Sequence, residues 1–196
     1  EQGIWQLHTH YPRDFAYDNY RTVDDRPYGG GPGMVMKPEP TIKAIRSVKR
    51  ENSHVVYLSP QGRVLKAGLA EGFAKQYEHV ILLCGHYEGI DQRIIDSEVD
   101  EELSIGNYVL TSGSPAAIVF VDAVCRFIPG VIGHPEAAYK DSFHVSEVFE
   151  GPQYTRPFEY DGKRVPEVLV NGNHKEIEKW RDDSFAYYKA CFGLNN

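Results

Sequence analysis

The sequence predicts an α/β fold organised on a parallel sheet, and three observations carry that prediction. Residues 54–58 hold a short apolar run, Val55, Val56, Tyr57 and Leu58, and residues 80–84 hold another. Each has the length and β-branched content of a buried strand. Between them, residues 64–77 place Leu65, Leu69 and Phe73 at helical spacing. Strand, helix, strand at that spacing argues for a parallel crossover connection. The second run then stops at glycine and opens into Gly85-His86-Tyr87-Glu88-Gly89-Ile90-Asp91. A polar loop at the carboxyl end of a buried strand is where open α/β sheets place their ligands.

The remaining elements follow in order. The first strand closes at the turn Ser59-Pro60-Gln61-Gly62. Residues 105–110 read as a further strand ending at Thr111-Ser112-Gly113. Pro115 suits a first helical turn, and residues 116–127 form a buried helix, polar only at Asp122 and Arg126. Residues 129–157 are irregular, rich in Gly and Pro, and too long for an ordinary connector. A last strand at 168–170 and a helix at 175–181 complete the pattern, and the tail after Asp182 reads as part of a further helical element. No internal repeat is evident.

A chain of 196 residues can bury one sizeable core, or one core and a small appendage. It has no apolar run of the roughly 18 residues that a membrane span needs, and no signal peptide is expected. It opens on Glu1, so we expect the natural start to lie upstream. Cys84, Cys125 and Cys191 are widely and oddly spaced, which fits reduced thiols in the cytoplasm rather than a disulfide framework. Lys and Arg number 21 against 28 Asp and Glu, a net charge of −7 that taken globally disfavours a nucleic-acid partner. The distribution is uneven, however. Arg13, Arg21, Arg26, Lys37, Lys43, Arg46, Lys49 and Arg50 cluster early, and Arg156, Lys163, Arg164, Lys175, Lys179 and Arg181 cluster late. The acids bunch at Asp96, Glu98, Asp100, Glu101 and Glu102. Each run reads first as a solvated face, with a segregated basic surface as the alternative.

Several chemistries are excluded by spacing. Tyr28-Gly29-Gly30-Gly31-Pro32-Gly33-Met34 is glycine-rich but ends Gly-Met, without the Lys and Ser/Thr of a phosphate-binding loop. Its dinucleotide alternative lacks the third glycine, so a structural loop packed against a subunit or a neighbouring helix is favoured. The eight histidines form no metal-ligand motif, and His8 and His10 alternate as exposed positions on one strand face would. No nucleophile elbow is present. Arg126 pairs naturally with Asp122 four residues earlier and suits the end of its helix. Asp141, in Tyr139-Lys140-Asp141-Ser142-Phe143, suits a turn.

Taken together, eight ordered segments resemble the bacterial tRNA (guanine-37-N1)-methyltransferases of the SPOUT class. They are 22–34, Tyr57-Leu58-Ser59-Pro60-Gln61-Gly62, 85–91, Ser104-Ile105-Gly106-Asn107-Tyr108-Val109-Leu110, 126–131, Asp141-Ser142-Phe143, Tyr154-Thr155-Arg156-Pro157 and Asn171-Gly172-Asn173-His174. The match runs in register from about Trp5 to Arg181. The resemblance implies a SPOUT-type parallel sheet with helices on both faces, a deep trefoil knot, and a short C-terminal helical extension. It implies a knotted S-adenosylmethionine-binding domain over 1–157, with its opening strand missing, then a linker strand and a partial tRNA-binding helical domain over 158–196. A cytoplasmic homodimer with active sites at the subunit interface, acting on the tRNA anticodon arm, is also implied.

The family's cofactor contacts fall on Tyr57, Leu58, Ser59 and Pro60, then on Gly85, Tyr87 and Glu88, then on Ile105, Gly106, Tyr108, Leu110 and Gly113. Strand-end backbone can read an adenine edge, apolar and aromatic side chains can cover its face, and Glu88 can hold a ribose hydroxyl or the amino group. The resemblance makes Asp141 the general base for guanine N1 and Arg126 the group that stabilises charge on O6. A carboxylate with the ordinary pKa of about 3.9 is a weak base, so that role calls for desolvation. The family's dependence on magnesium is implied too, although no residues here mark a metal site. Two departures stand out. Ser112 replaces a glycine usual in the family, and the C-terminal helical domain is short or absent after Asp182. The alternatives are a SPOUT enzyme acting on another base or a ribose, a catalytically silent RNA-binding dimer, and a phosphate-handling protein.

Overall fold

A computed structural model describes residues 3–134, 137–143 and 150–191, side chains excepted at 140 and 185–191. The chain forms two compact units, Glu1–Gly133 and His134–Asn196, each described by itself.

The first unit begins with a turn at Pro12–Phe15 and a small antiparallel ribbon of β1 (Asp24–Asp25) and β2 (Val35–Met36). Helix α1 (Pro38–Val48) follows. Pro38 and Pro40 read as breakers in the sequence, yet proline is tolerated in a first helical turn, where the missing N–H has no partner to lose. Next come β3 (Ser53–Val64), α2 (Ala67–Gln76), β4 (His79–Cys84), α3 (Gln92–Glu98), β5 (Glu101–Ser104) and α4 (Gly113–Cys125). The expected parallel α/β arrangement is present: β3 lies between β4 and β5, and both pairings are parallel.

Side-chain alternation on β3 explains why both faces are covered. Val56 and Leu58 point to one face and pack with Phe73 of α2, Leu103, and Ala116 and Phe120 of α4. Val55 and Tyr57 point to the other and pack with Ile45 of α1, Leu83, and Ile94 of α3. A parallel strand buried on both faces reads as a continuous apolar run, as this one does. Phe73 meets Phe120 edge-on, with ring centroids 5.0 Å apart.

Several expectations change. Residues 105–110 are not a strand: β5 ends at Ser104, whose Oγ donates to the Gly106 carbonyl (2.9 Å) and accepts from the Gly106 N–H (3.2 Å). That local turn takes the chain out of the sheet. Residues 168–170 are not a strand either. Glu167–Leu169 forms a 3-10 turn after Pro166, with the Leu169 N–H donating to the Pro166 carbonyl and the Val170 N–H to Glu167. Finally, the acidic run is only partly a solvated face: Asp96 and Asp100 are exposed, but others are committed to packing. Glu98 is buried and ion-paired with Arg46 (2.6 Å) and Lys49 (3.4 Å) of α1. Asp100 accepts from the Val55 N–H (2.8 Å), and Glu101 pairs with Arg63 (2.5 Å). The acids clamp α1 and β3 to the sheet, which takes Arg46 and Lys49 out of any free basic surface.

Arg46→Ala is therefore expected to destabilise the protein by about 1–2 kcal/mol, because it strips the main partner from a buried carboxylate while Lys49 remains. Urea unfolding should show a lower midpoint at unchanged slope. An unchanged midpoint would show that Lys49 suffices.

The turn at 59–62 interrupts β3 rather than ending it. Leu103 pairs with Leu58 before the turn and with Arg63 after it, so the intervening residues swing out of the ladder. At the return, Gly62 lies directly against the β5 backbone: a Cβ there would stand 2.4 Å from Leu103 N and 2.5 Å from Glu102 C. Only glycine fits that passage.

The second unit contains α5 (Ala137–Lys140), an antiparallel hairpin of β6 (Glu159–Tyr160) and β7 (Lys163–Arg164), and α6 (His174–Cys191). Asp161 and Gly162 both have positive φ (51° and 73°), as a tight hairpin turn demands. The Asn171-Gly172-Asn173-His174 segment builds the start of α6: Asn171 Oδ1 accepts from the Asn173 N–H (2.9 Å) and its amide donates to Glu176 (2.8 Å). Within the irregular stretch, residues 144–149 lie outside the described residues.

Candidate active site

The three parallel strands deliver three loops to one place. A cavity of about 300 Å³ lies at the carboxyl end of β4, beside the β3 turn and the chain leaving β5. The β3 turn contributes Tyr57, Leu58, Ser59, Pro60 and Gln61, and the β4 loop contributes Gly85 to Gly89. The third wall is Leu103, Ser104, Ile105 and the run from Tyr108 to Gly113, with Ala116 of α4 behind it. Of the cofactor contacts that the resemblance names, all but Gly106 line this cavity. Gly106 sits in the same loop and shapes it: a Cβ there would lie 2.4 Å from the Tyr108 ring.

Each loop is held by its own chemistry. Ser59 Oγ donates to Gln61 Oε1 (2.6 Å) and accepts from the Gln61 N–H (3.2 Å), fixing the turn locally. The Gly113 N–H donates to the Gly85 carbonyl (2.8 Å), and a Cβ at Gly113 would fall 2.8 Å from Cys84 Cα. Helix α4 thus starts in van der Waals contact with the end of β4. Ser112 is fully extended (φ −162°, ψ 166°), a conformation open to any residue, so replacing the family's usual glycine there introduces no backbone strain.

The glycine-rich loop meets the β4 loop. The Glu88 N–H donates to the Met34 carbonyl (3.0 Å), the Met36 N–H to Gly89 (3.0 Å), and the Asp91 N–H to Met36 (3.0 Å). Gly33 (φ +74°) rests on the Glu88 side chain, where a Cβ would come within 2.4 Å of Cγ. Gly33 thus packs closely, but on the β4 loop of its own chain rather than on a helix or a second subunit. Gly29, Gly30 and Gly31 instead stand in open space with positive φ. Asp91 caps α3: its carboxylate accepts from the Arg93 N–H (2.9 Å) and guanidinium (2.8 Å). The Arg93 side chain holds Asp91 below the ordinary carboxylate range. Its stabilising effect is present above the unfolded-state value and is lost only as pH falls through the lowered one.

The chemistry of the cavity is that of an amphiphilic, positively charged ligand. Leu58, Ile105, Leu110 and the rings of Tyr57 and Tyr108 offer apolar cover, while Glu88 supplies one carboxylate. Burial, then the Glu102 charge, raises the Tyr57 phenol, so it remains neutral. Burial also pushes the Cys84 thiol up, which argues against a thiolate nucleophile. Among the described residues, no group of three or more His, Cys, Asp or Glu side chains could hold a metal ion. Nor is any helix there long and apolar enough to cross a membrane. His8 and His10 are exposed but lie outside any strand.

The two candidate catalytic residues belong to different units. Arg126 is exposed at the end of α4, where its N–H donates to the Asp122 carbonyl (3.4 Å). Asp141 follows α5 directly and is partly buried. Beside it, Ser142 Oγ accepts from the Glu150 N–H (2.9 Å). Sequence reasoning missed the contributions of Arg13 and Asp24 near Tyr87, since nothing in their spacing points to a loop more than sixty residues away.

Comparison with known proteins shows the family. The model of the family described as tRNA (Guanine-1)-methyltransferase TrmD matches residues 1–188. The tRNA (guanine-N(1)-)-methyltransferase of Protochlamydia amoebophila is 56% identical over 183 residues, covering 93% of this chain and 82% of that protein. Its namesake in Chlamydia pneumoniae is 58% identical over 169 residues, 86% of this chain but 46% of that protein. The one in Chromobacterium violaceum is 54% identical over 187 residues, 91% and 72% respectively.

Proposed function

The chain belongs to the tRNA (guanine-1)-methyltransferase family, and from that membership we propose that it transfers a methyl group from S-adenosyl-L-methionine to N1 of guanine 37 in tRNA. The observation that carries this reading is the single cavity that gathers the strand-end residues of β3 and β4 with the loop after β5. Its apolar walls suit an adenine, and Glu88 suits the cationic end of the cofactor. When bound, S-adenosylmethionine supplies a methyl group on a positively charged sulfur, which leaves as a neutral thioether.

The protein's task lies with the acceptor, because guanine N1 carries a proton and is a poor nucleophile. Asp141 accepts that proton as the N1–methyl bond forms. Arg126 holds the negative charge that gathers on O6, an interaction stronger in the transition state than before it. Residues 1–157 are assigned as the methyltransferase domain and 158–196 as a connector with a partial helical tRNA-binding domain. The knotted core is carried by the family resemblance. Exposed Val109, Ile118 and Val119 near the cavity support burial against a second copy, with active sites at the subunit interface. The anticodon arm is the assigned partner and the cytoplasm the assigned compartment. Magnesium is carried by the resemblance alone, and the described residues offer no ligand cluster to assign to it.

The test is transfer of labelled methyl to tRNA transcripts carrying G or A at position 37. Label on the G transcript only is the expected result. Label on both would move the acceptor to a ribose or another base. Cofactor binding with no transfer to either would favour a silent RNA-binding dimer. A companion titration should show tRNA affinity falling steeply with salt despite the net charge of −7, and a flat response would remove phosphate contacts from the account.

A further inference from the structure

Tyr87 stands in the left-handed region (φ +60°), a conformation costly for a non-glycine residue and held only where the surroundings enforce it. Two sets of contacts do so. The backbone that follows it, from Glu88 to Asp91, is stitched to Met34 and to Met36 of β2 by the hydrogen bonds described above. The side chain is held from elsewhere: Arg13 Nη2 donates to the Tyr87 hydroxyl (3.3 Å). Arg13 is itself fixed, since Nη1 donates to the Arg21 carbonyl (3.0 Å) while Arg21 Nε donates back to the Arg13 carbonyl (3.1 Å). Arg21 also pairs with Asp14. Asp24 of β1 faces the same phenol. Desolvation, then a hydrogen bond to Asp24 and its charge, raise the Tyr87 phenol above its ordinary value, and Arg13 acts in the other direction. The phenol stays neutral, able to donate to Asp24 while accepting from Arg13.

We propose that Arg13, aided by Asp24, is a positioning residue for the cofactor cavity: it fixes the Tyr87 ring as one wall and so sets how long an adenosine-type ligand is retained. The inference rests on the cavity being the S-adenosylmethionine site. Neither residue lines the cavity, so both act through Tyr87. A free Tyr87 would have to be ordered at each binding event, and a ring already held spares the ligand that entropy.

A double-mutant cycle tests this, with calorimetric binding of S-adenosylmethionine and S-adenosylhomocysteine to wild type, Arg13→Gln, Tyr87→Phe and the double variant. Arg13→Gln should weaken both ligands about five- to tenfold, with kcat at saturating cofactor within about twofold of wild type. Arg13→Lys should recover part of the loss. Tyr87→Phe keeps the ring but removes the hydroxyl and should weaken binding similarly, and the double variant should be little worse than either. Tyr87→Phe and Asp24→Asn leave the Arg13–Arg21 contacts intact, so they carry the test if Arg13→Gln unfolds. Additive losses, or unchanged affinity in Tyr87→Phe, would overturn the proposal while leaving the methyltransferase reading in place. Wild type that binds neither ligand would overturn both.

Discussion

Asp141→Ala is expected to lower methyl transfer by about 10²- to 10⁴-fold, the range over which a positioned general base contributes, while cofactor affinity stays within about twofold of wild type. The two tasks fall to different parts of the chain. The residues that line the cavity lie in the first unit, and Asp141 lies in the second, just after α5. Removing its carboxylate should leave the cavity walls untouched and deprive the acceptor N1 of its proton acceptor. Asp141→Asn sharpens the test, because asparagine keeps the shape and cannot take up the proton. Single-turnover transfer at saturating cofactor, with calorimetric binding in parallel, separates the two effects. If turnover and cofactor affinity fall in equal measure, Asp141 is part of the cavity and the base lies elsewhere.

The second large effect is on folding. Gly62→Ala should cost at least about 3 kcal/mol, a sizeable share of the roughly 5–15 kcal/mol by which a domain of this kind is stable. The added Cβ would meet Leu103 N at 2.4 Å and the Glu102 carbonyl carbon and oxygen at 2.5 and 2.6 Å. These are backbone atoms of a paired strand, so no side chain can swing aside to make room. Gly68→Ala, in the first turn of α2 with nothing within 4 Å of a Cβ, provides the contrast. It should stabilise by roughly 0.5–1 kcal/mol through the helical preference of alanine. Urea unfolding of both variants decides the matter. Equal midpoints would mean that the β3 turn gives way more readily than its packing implies.

The legible parts of the chain share one property: their signal is local. The alternation through Val55 to Leu58, the helical spacing of Leu65, Leu69 and Phe73, and Pro115 in the first turn of α4 depend on neighbours within a few residues. The loop from Gly85 to Asp91 was legible for the same reason, as an abrupt change from apolar to polar at a strand end. Where the reading failed, a distant partner had overruled the local pattern. The run at 105–110 has the composition of a strand, but the Ser104–Gly106 turn takes it out to wall a cavity. Glu98, Asp100 and Glu101 look unpartnered in the sequence until Arg46, Lys49, Arg63 and the Val55 N–H arrive from α1 and β3.

Residue order alone was enough for the parallel α/β class, for the strand-end loops, and, through eight segments in register, for the family. Packing between distant segments decided the rest: that the β3 turn returns against the β5 backbone at Gly62, that Gly33 rests on Glu88, that Ser112 needs no glycine, and that Arg13 steadies Tyr87. The physical reason is range. Periodicity and turn chemistry act over a few residues, and the chain carries them in plain order. A steric fit or an ion pair between residues forty to seventy positions apart leaves no periodic trace, and it exists only once the sheet has brought the two ends together.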